Sequence, residues 1–208
     1  MSKVFVSVGI TLDGFMAGLN GGPQKPLGEG GLAIHEWVFK QQIFRQHLGW
    51  GNDGETGKDN EIAKGIFDRI GANILGKNMF IEGEANWPED APFHCPVFVL
   101  THETREPWVR KGGTTFYFEN DGIYAALEKA KAVAGDKDIR ISGGAKVIQQ
   151  YLNAGLVEEF IIHQVPLLLG KGVRLFENLD TDKYSFEIIE AINSPEVTHI
   201  RYKVINKK

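Results

Sequence analysis

Apolar positions alternate from the start of the chain: in "MSKVFVSVGI", Val4, Val6 and Val8 interleave with Phe5 and Ser7 at the period of a β-strand. Comparable runs rich in β-branched and aromatic residues predict further strands, giving eight at 3–10, 72–75, 97–101, 114–118, 138–142, 158–165, 184–192 and 197–205. Between several of them the period lengthens to that of a helix. "DGIYAALEKAKAVAGD" puts Ile123, Leu127 and Ala130 on one stripe, with Asp121 placed to cap the start and Gly135 to end the helix. "GAKVIQQYLNAG" gathers Val147, Ile148, Tyr151 and Leu152 on one face and stops at Gly155. "NEIAKGIFDRIG" gives a third helix and "AIHEWVFKQQIFRQHL" a fourth. Strands alternating with helices predict an α/β fold: a mixed, mostly parallel sheet of about eight strands flanked by helices. The last two strands, joined by "NSP", read as an antiparallel hairpin.

Length and composition narrow this picture. At 208 residues, 42% of them apolar, the chain suits one well-buried core and is read as a single domain spanning 1–208. The net charge of -4 comes from acids and bases mixed along the whole length, which argues against nucleic acid or an anionic membrane surface as partner. The longest apolar run, "VPLLLG", is cut by Pro166 and Gly170, far short of a membrane span, and the first strand is no signal peptide; the expectation is a cytoplasmic protein. Cys95 is the single cysteine, read as a small hydrophobe rather than a nucleophile. The six histidines, His35, His47, His94, His102, His163 and His199, show neither HxH nor HExxH spacing, so no metal site is expected. His163 alternates with Ile161 and Val165 and so shares their buried face.

Candidate chemistry gathers at strand ends. In "IRISGGAKVIQQYL" a strand runs through Ser142 into Gly143-Gly144 and straight into a helix, so backbone N–H groups and the positive helix end meet with no Cβ atoms between them, a place suited to phosphate. Tight packing accounts for the same glycines equally well. "GANILGKNMFIEG" opens at Gly76 into Lys77 and Asn78, and "PVFVLTHETR" ends in Thr101-His102. Ligands of open α/β sheets sit at this carboxyl edge. A Rossmann fingerprint would need a glycine at Val147, and "GNDGETGKD" has Asn52 and Asp59 where a Walker A loop needs glycine and hydroxyl.

In order, "SVGITLDGFMAG", "GANILGKNMFIEG", "PVFVLTH" and "ISGGAKVIQQYLNAGLVEEFIIHQVPLLLGKGVRLF" resemble the dihydrofolate reductase-like superfamily, and within it the reductase domain of bacterial riboflavin biosynthesis. The resemblance implies NADPH lying across the strand ends, with its pyrophosphate at Gly143, Gly144 and the N–H groups of Ala145 and Lys146, next to Ser142. It implies an adenosine side held by Gly76, Lys77, Asn78, Thr101 and His102, with Lys77 on the 2′-phosphate, and a nicotinamide gripped near Gly9, Met16 and Ala17. Hydride would pass to a small heterocycle or ribosyl-pyrimidine-type substrate. Asp13, in the shared "LDG", or Glu36, in "HEWVF", would handle the proton, with a pKa raised by an apolar pocket; Trp37 and His163 would line that pocket. Lys25, Arg45, Lys171 and Arg174 are the cations available to clamp a substrate phosphate. The resemblance also implies a homodimer formed through strands near the C-terminus, for which "EFIIHQVPLLLG" is apolar enough, although burial in the core explains the same residues. A non-catalytic protein that binds a dinucleotide is the competing reading.

Overall fold

A computed structural model describes residues 2–90 and 92–207. The strands are β1 (Val4–Thr11), β2 (Phe15–Ala17), β3 (Ile70–Gly76), β4 (Pro96–Leu100), β5 (Trp108–Val109), β6 (Thr115–Glu119), β7 (Asp138–Gly143), β8 (Glu159–Val165), β9 (Val173–Arg174), β10 (Tyr184–Asn193) and β11 (Thr198–Asn206). Nine form one sheet in the order β10-β11-β8-β1-β7-β3-β4-β6-β5. Pairing is parallel from β8 through β6 and antiparallel for β5, β10 and β11, while β2 and β9 make a small separate ribbon. All eight expected strands are present. The short β2, β5 and β9 carry too few residues to show a period.

Helices α5 (Ile123–Ala134) and α6 (Ala145–Asn153) cover one face of the sheet, where Leu127, Ala130, Ile148 and Tyr151 pack on Val4, Val6, Ile74, Ile139 and Ile141. The apolar stripes read from their sequences are the buried faces. Asp121 does not cap α5: Gly122 holds the N-cap position without a side-chain bond, and the Asp121 N–H instead donates to Glu119. The opposite face carries α3 (Lys58–Arg69), α4 (Lys77–Glu84) and a broken run. The sequence predicts one helix over 33–48 here; the structure has a 3-10 turn (Gly31–His35), α1 (Glu36–Phe39) and α2 (Gln42–His47) instead. The break falls at Gln41, whose extended backbone bridges to Glu55 in the glycine-rich loop and whose amide binds the Trp37 carbonyl at 2.8 Å. Helix α4 has no capping signal in its sequence; its Phe80 is held by an aromatic cluster with Trp87, Trp108, Phe116 and Phe118.

The segment "EFIIHQV" is β8 itself, paired on both sides and buried, so it belongs to the core and presents no outer face. Among the described residues no helix is long and apolar enough to cross a membrane.

Candidate active site

The carboxyl ends of β1, β7, β3 and β4 open into a single cleft of about 1090 Å³. Its rim contains every position expected to meet a nucleotide: Gly9, Met16, Ala17, Gly76, Lys77, Asn78, Thr101, His102, Ser142, Gly143, Gly144, Ala145 and Lys146. At its centre β7 gives way to α6 with only Gly144 between them. No side chain caps this helix, so the first N–H groups, on Ala145 and Lys146, have neither an intrahelical partner nor a cap. A Cβ on Gly144 would meet nothing within 4 Å, whereas one on Gly76 would stand 2.8 Å from Val147 Cγ2. Gly76 is thus needed for β3 to pass α6, and Gly144 leaves open space in front of the helix. Lys77 forms an ion pair with Glu103, whose N–H is in turn bonded to Thr101 Oγ1, and His102 is exposed beside them.

Behind the rim the cleft continues over the face of the sheet into a pocket lined by Ser7, His35, Trp37, Arg140 and His163. Strand pairing sets these in neighbouring positions: His199 faces His163, His163 faces Gly9, and Arg140 lies between Phe5 and Asn73. Four side chains then form one file. Ser7 Oγ meets His163 Nε2 at 2.9 Å, His163 Nδ1 meets His199 Nδ1 at 2.7 Å, and His199 Nε2 meets Asp59 Oδ1 at 3.0 Å. A carboxylate only accepts, which makes His199 Nε2 a donor; with both rings neutral, His163 Nδ1–H donates to His199 and Ser7 O–H donates to His163. Burial lowers both imidazole pKa values, His163 farther, because His199 and Arg140 add to the effect, while Asp59 partly offsets it at His199. The Trp37 ring packs 4.9 Å from each imidazole centroid, and its Nε1 is buried without a hydrogen-bond partner.

The two carboxylates expected to handle a proton are placed otherwise. Asp13 does not line the cleft; it accepts from Thr11 Oγ1 and from the amides of Leu169 and Gly170, and these bonds, the hydroxyl foremost, hold its pKa down to about 2. It is a loop tie, ionised throughout the neutral range, and not a proton donor. Glu36 is exposed and off the cleft, while its neighbours Trp37 and Val38 in the single turn of α1 face inward. Trp37 and His163 line the pocket as expected. Of the proposed phosphate clamps, Lys25 pairs with Glu29, Arg45 with Asp53 and Arg174 with Glu177, and neither they nor Lys171 line the cleft.

Ser7, His35, Arg140, His199 and Asp59 escaped the sequence reading. A signal was present: serine within Val6-Ser7-Val8 and arginine between Ile139 and Ile141 are polar interruptions in strands otherwise buried on both faces. Cys95 is buried with its thiol pushed up to about 11 by that burial, consistent with a packing role.

A sequence model described as "RibD C-terminal domain" matches residues 2–200. The chain belongs to this family. The uncharacterized protein YyaP of Bacillus subtilis (strain 168) is 44% identical over 178 residues, covering 84% of this chain and 80% of YyaP. A fold likeness links this RibD C-terminal domain protein to a crystal structure of a putative riboflavin biosynthesis protein from Shewanella sp. PV-4 (TM-score 0.63, 22% identity, both chains covered fully). A second links it to dihydrofolate reductase from Enterococcus faecalis complexed with NADP(H) (TM-score 0.56, 12% identity, 99% of this chain and 97% of that one). The fold is that of a dihydrofolate reductase-like protein, and the family is one of riboflavin-pathway reductase domains.

Proposed function

We propose that this RibD C-terminal domain protein is an NADPH-dependent reductase that acts on a small heterocyclic or ribosyl-pyrimidine-type acceptor. The observation that carries the reading is one continuous cleft that joins a glycine-lined helix start at the strand ends to a recessed, aromatic and polar pocket. The residues present fit a dinucleotide. Open space before Gly144 leaves the Ala145 and Lys146 amides free for a pyrophosphate, and Lys77 on the rim suits a 2′-phosphate that would displace Glu103. Gly9, Met16 and Ala17 would hold the nicotinamide end, with Asn78, Thr101 and His102 beside the adenosine.

NADPH, when bound, supplies the hydride. The chain supplies orientation, exclusion of water and a proton. The file from Ser7 to Asp59 is suited to the last task in place of Asp13 and Glu36. When one further proton enters at the outer end, His199 becomes an imidazolium held by the Asp59 carboxylate; with His163 in its Nε2–H form, Ser7 O–H is then free to point at the acceptor. A proton leaving Ser7 is replaced from His163 Nε2, and that one from His199 onto His163 Nδ1. The neutral file described above is what remains, and its outer end, Asp59, is partly exposed and also bonded to Ser194.

Calorimetric titration with NADPH and NADH tests the reading. NADPH should bind more tightly than NADH, and Lys77→Ala should weaken NADPH about tenfold, the loss of roughly one charge-assisted contact, while NADH is unchanged. Absence of binding by either nucleotide would retire the proposal, and NADPH binding with no acceptor ever reduced would favour a non-catalytic binder.

A homodimer is part of the same reading. The exposed Phe186, Ile188 and Ile189 on the edge strand β10 would supply its contact. Sedimentation should give twice the mass of one chain; a single-chain mass at micromolar concentration would remove this element.

A further inference from the structure

We infer that the recessed pocket takes a flat substrate bearing a carboxylate, and that Arg140 receives that group. This deepens the reductase reading and rests on it for the identity of the reaction, but the pocket's preference is measurable by itself.

Arg140 differs from every other described arginine. Arg45, Arg69, Arg105, Arg174 and Arg201 each have a carboxylate within ion-pair distance, and Arg110 lies over the Trp108 ring at 4.4 Å. Arg140 has neither an acid nor an aromatic face. Among the described residues its one hydrogen bond is Nη2 donating to the Ser7 carbonyl at 2.8 Å, and its Nε is buried with no hydrogen-bond partner. Arg140 is half-buried; a guanidinium largely withdrawn from water without a counter-charge is costly, and burial lowers its pKa to about 10, still cationic at neutral pH. The nearby Cys95 carries no charge to offset it, since its own thiol titrates near 11. The pocket therefore holds a permanent, uncompensated positive charge that lines the cleft.

The surroundings fix the kind of anion. Paired with Asn73 on β3, Arg140 lies three residues back from Gly76, roughly 10 Å behind the rim at strand spacing, so a group reaching it belongs to the pocket's occupant. The imidazoles of His35, His47 and His163 are held neutral at pH 7, burial being the main cause in each and Arg140 a contributor. One fixed positive charge matches a singly charged anion better than a phosphate. A guanidinium offers a planar fork that fits a carboxylate. The walls, which include Phe44, His47, Phe67 and Trp37, suit a flat ring.

The test is calorimetry on the full chain with benzoate and benzamide, each with and without NADPH, for the parent, Arg140→Met and Arg140→Lys. Benzoate should bind the parent at least ten times more tightly than benzamide. Arg140→Met should bring the ratio to about one while leaving NADPH affinity in place, and its melting temperature without probe should be equal or higher, because the buried charge is gone. Arg140→Lys, a point charge in place of a fork, should keep a reduced preference, and it decides the matter with the parent ratio if the methionine variant does not fold. Equal binding of the two probes by the parent, a preference kept by folded Arg140→Met, or an equal loss of NADPH binding in that variant would each overturn the assignment. A benzoate preference in a chain that binds no NADPH would uphold the anion pocket and retire the reductase reading alone.

Discussion

Lys146→Glu should leave the fold intact, or slightly strengthen it, and weaken NADPH binding about thirtyfold. Lys146 is the second residue of α6, exposed, on the cleft rim and without an ion pair among the described residues. A carboxylate in the first turn of a helix interacts favourably with the helix dipole, by about 0.3–1 kcal/mol, so the melting temperature should hold or rise. The same carboxylate would stand where the proposed pyrophosphate approaches the Ala145 and Lys146 amides. Replacing an attracting charge by a repelling one at such a distance costs about 2 kcal/mol of binding at the effective dielectric of a protein surface. Opposite signs for stability and affinity are what a binding role predicts. Unchanged NADPH affinity would move the pyrophosphate away from this helix, and a large drop in melting temperature would show that Lys146 serves the fold.

Acid should destabilise the protein well above the range in which carboxylates titrate. Burial holds His35 near pKa 4, and burial followed by the His94 charge does the same for His47, against about 6.5 in an unfolded chain. Between these values the unfolded state binds more protons than the folded one, so stability is complete above pH 6.5 and falls as the pH is lowered toward 4. His35 costs roughly 2 kcal/mol at pH 5, at about 1.4 kcal/mol per pH unit, and His47, which is partly exposed and so screened by water, costs less. His163 and His199, also lowered, act in the same direction. Set against a typical total of about 5–15 kcal/mol, the urea midpoint should drop steeply between pH 7.5 and pH 5. His47→Phe keeps an aromatic ring for the stack on Phe67, whose centroid lies 4.4 Å away, and should make that decline shallower. A midpoint flat over this range would mean that these imidazoles are not held neutral in the folded protein.

The rim of the cleft was legible because its residues are local signals. Glycines between a strand and a helix mark the carboxyl edge wherever the strands lie in the sheet, and Gly76, Gly143 and Gly144 needed no knowledge of strand order. The pocket needed that knowledge. Arg140 and Ser7 face the same space because β7 lies beside β1, and His163 meets His199 because β11 folds back on β8, neighbours far apart in sequence. Asp13 failed for a related reason. Its Asp-Gly turn is visible, but the amides that claim its carboxylate, at Leu169 and Gly170, lie more than 150 residues on. The run that holds Glu36 fits the period of one long helix, and that period does not reveal the bridge between Gln41 and Glu55 that interrupts it.

The tie at Asp13 is one of several between the same two loops. Leu12 N–H bonds to Leu167, Leu175 N–H to Gly14, Arg174 to the Asp13 carbonyl, and β2 pairs with β9. The front lip of the cleft is therefore woven from two distant stretches, 11–17 and 167–175, whose backbones and side chains hydrogen-bond to one another. Insertions or deletions in one stretch should be viable only with a matching change in the second. Anyone grafting this lip onto a related scaffold to alter substrate scope would have to carry both pieces together.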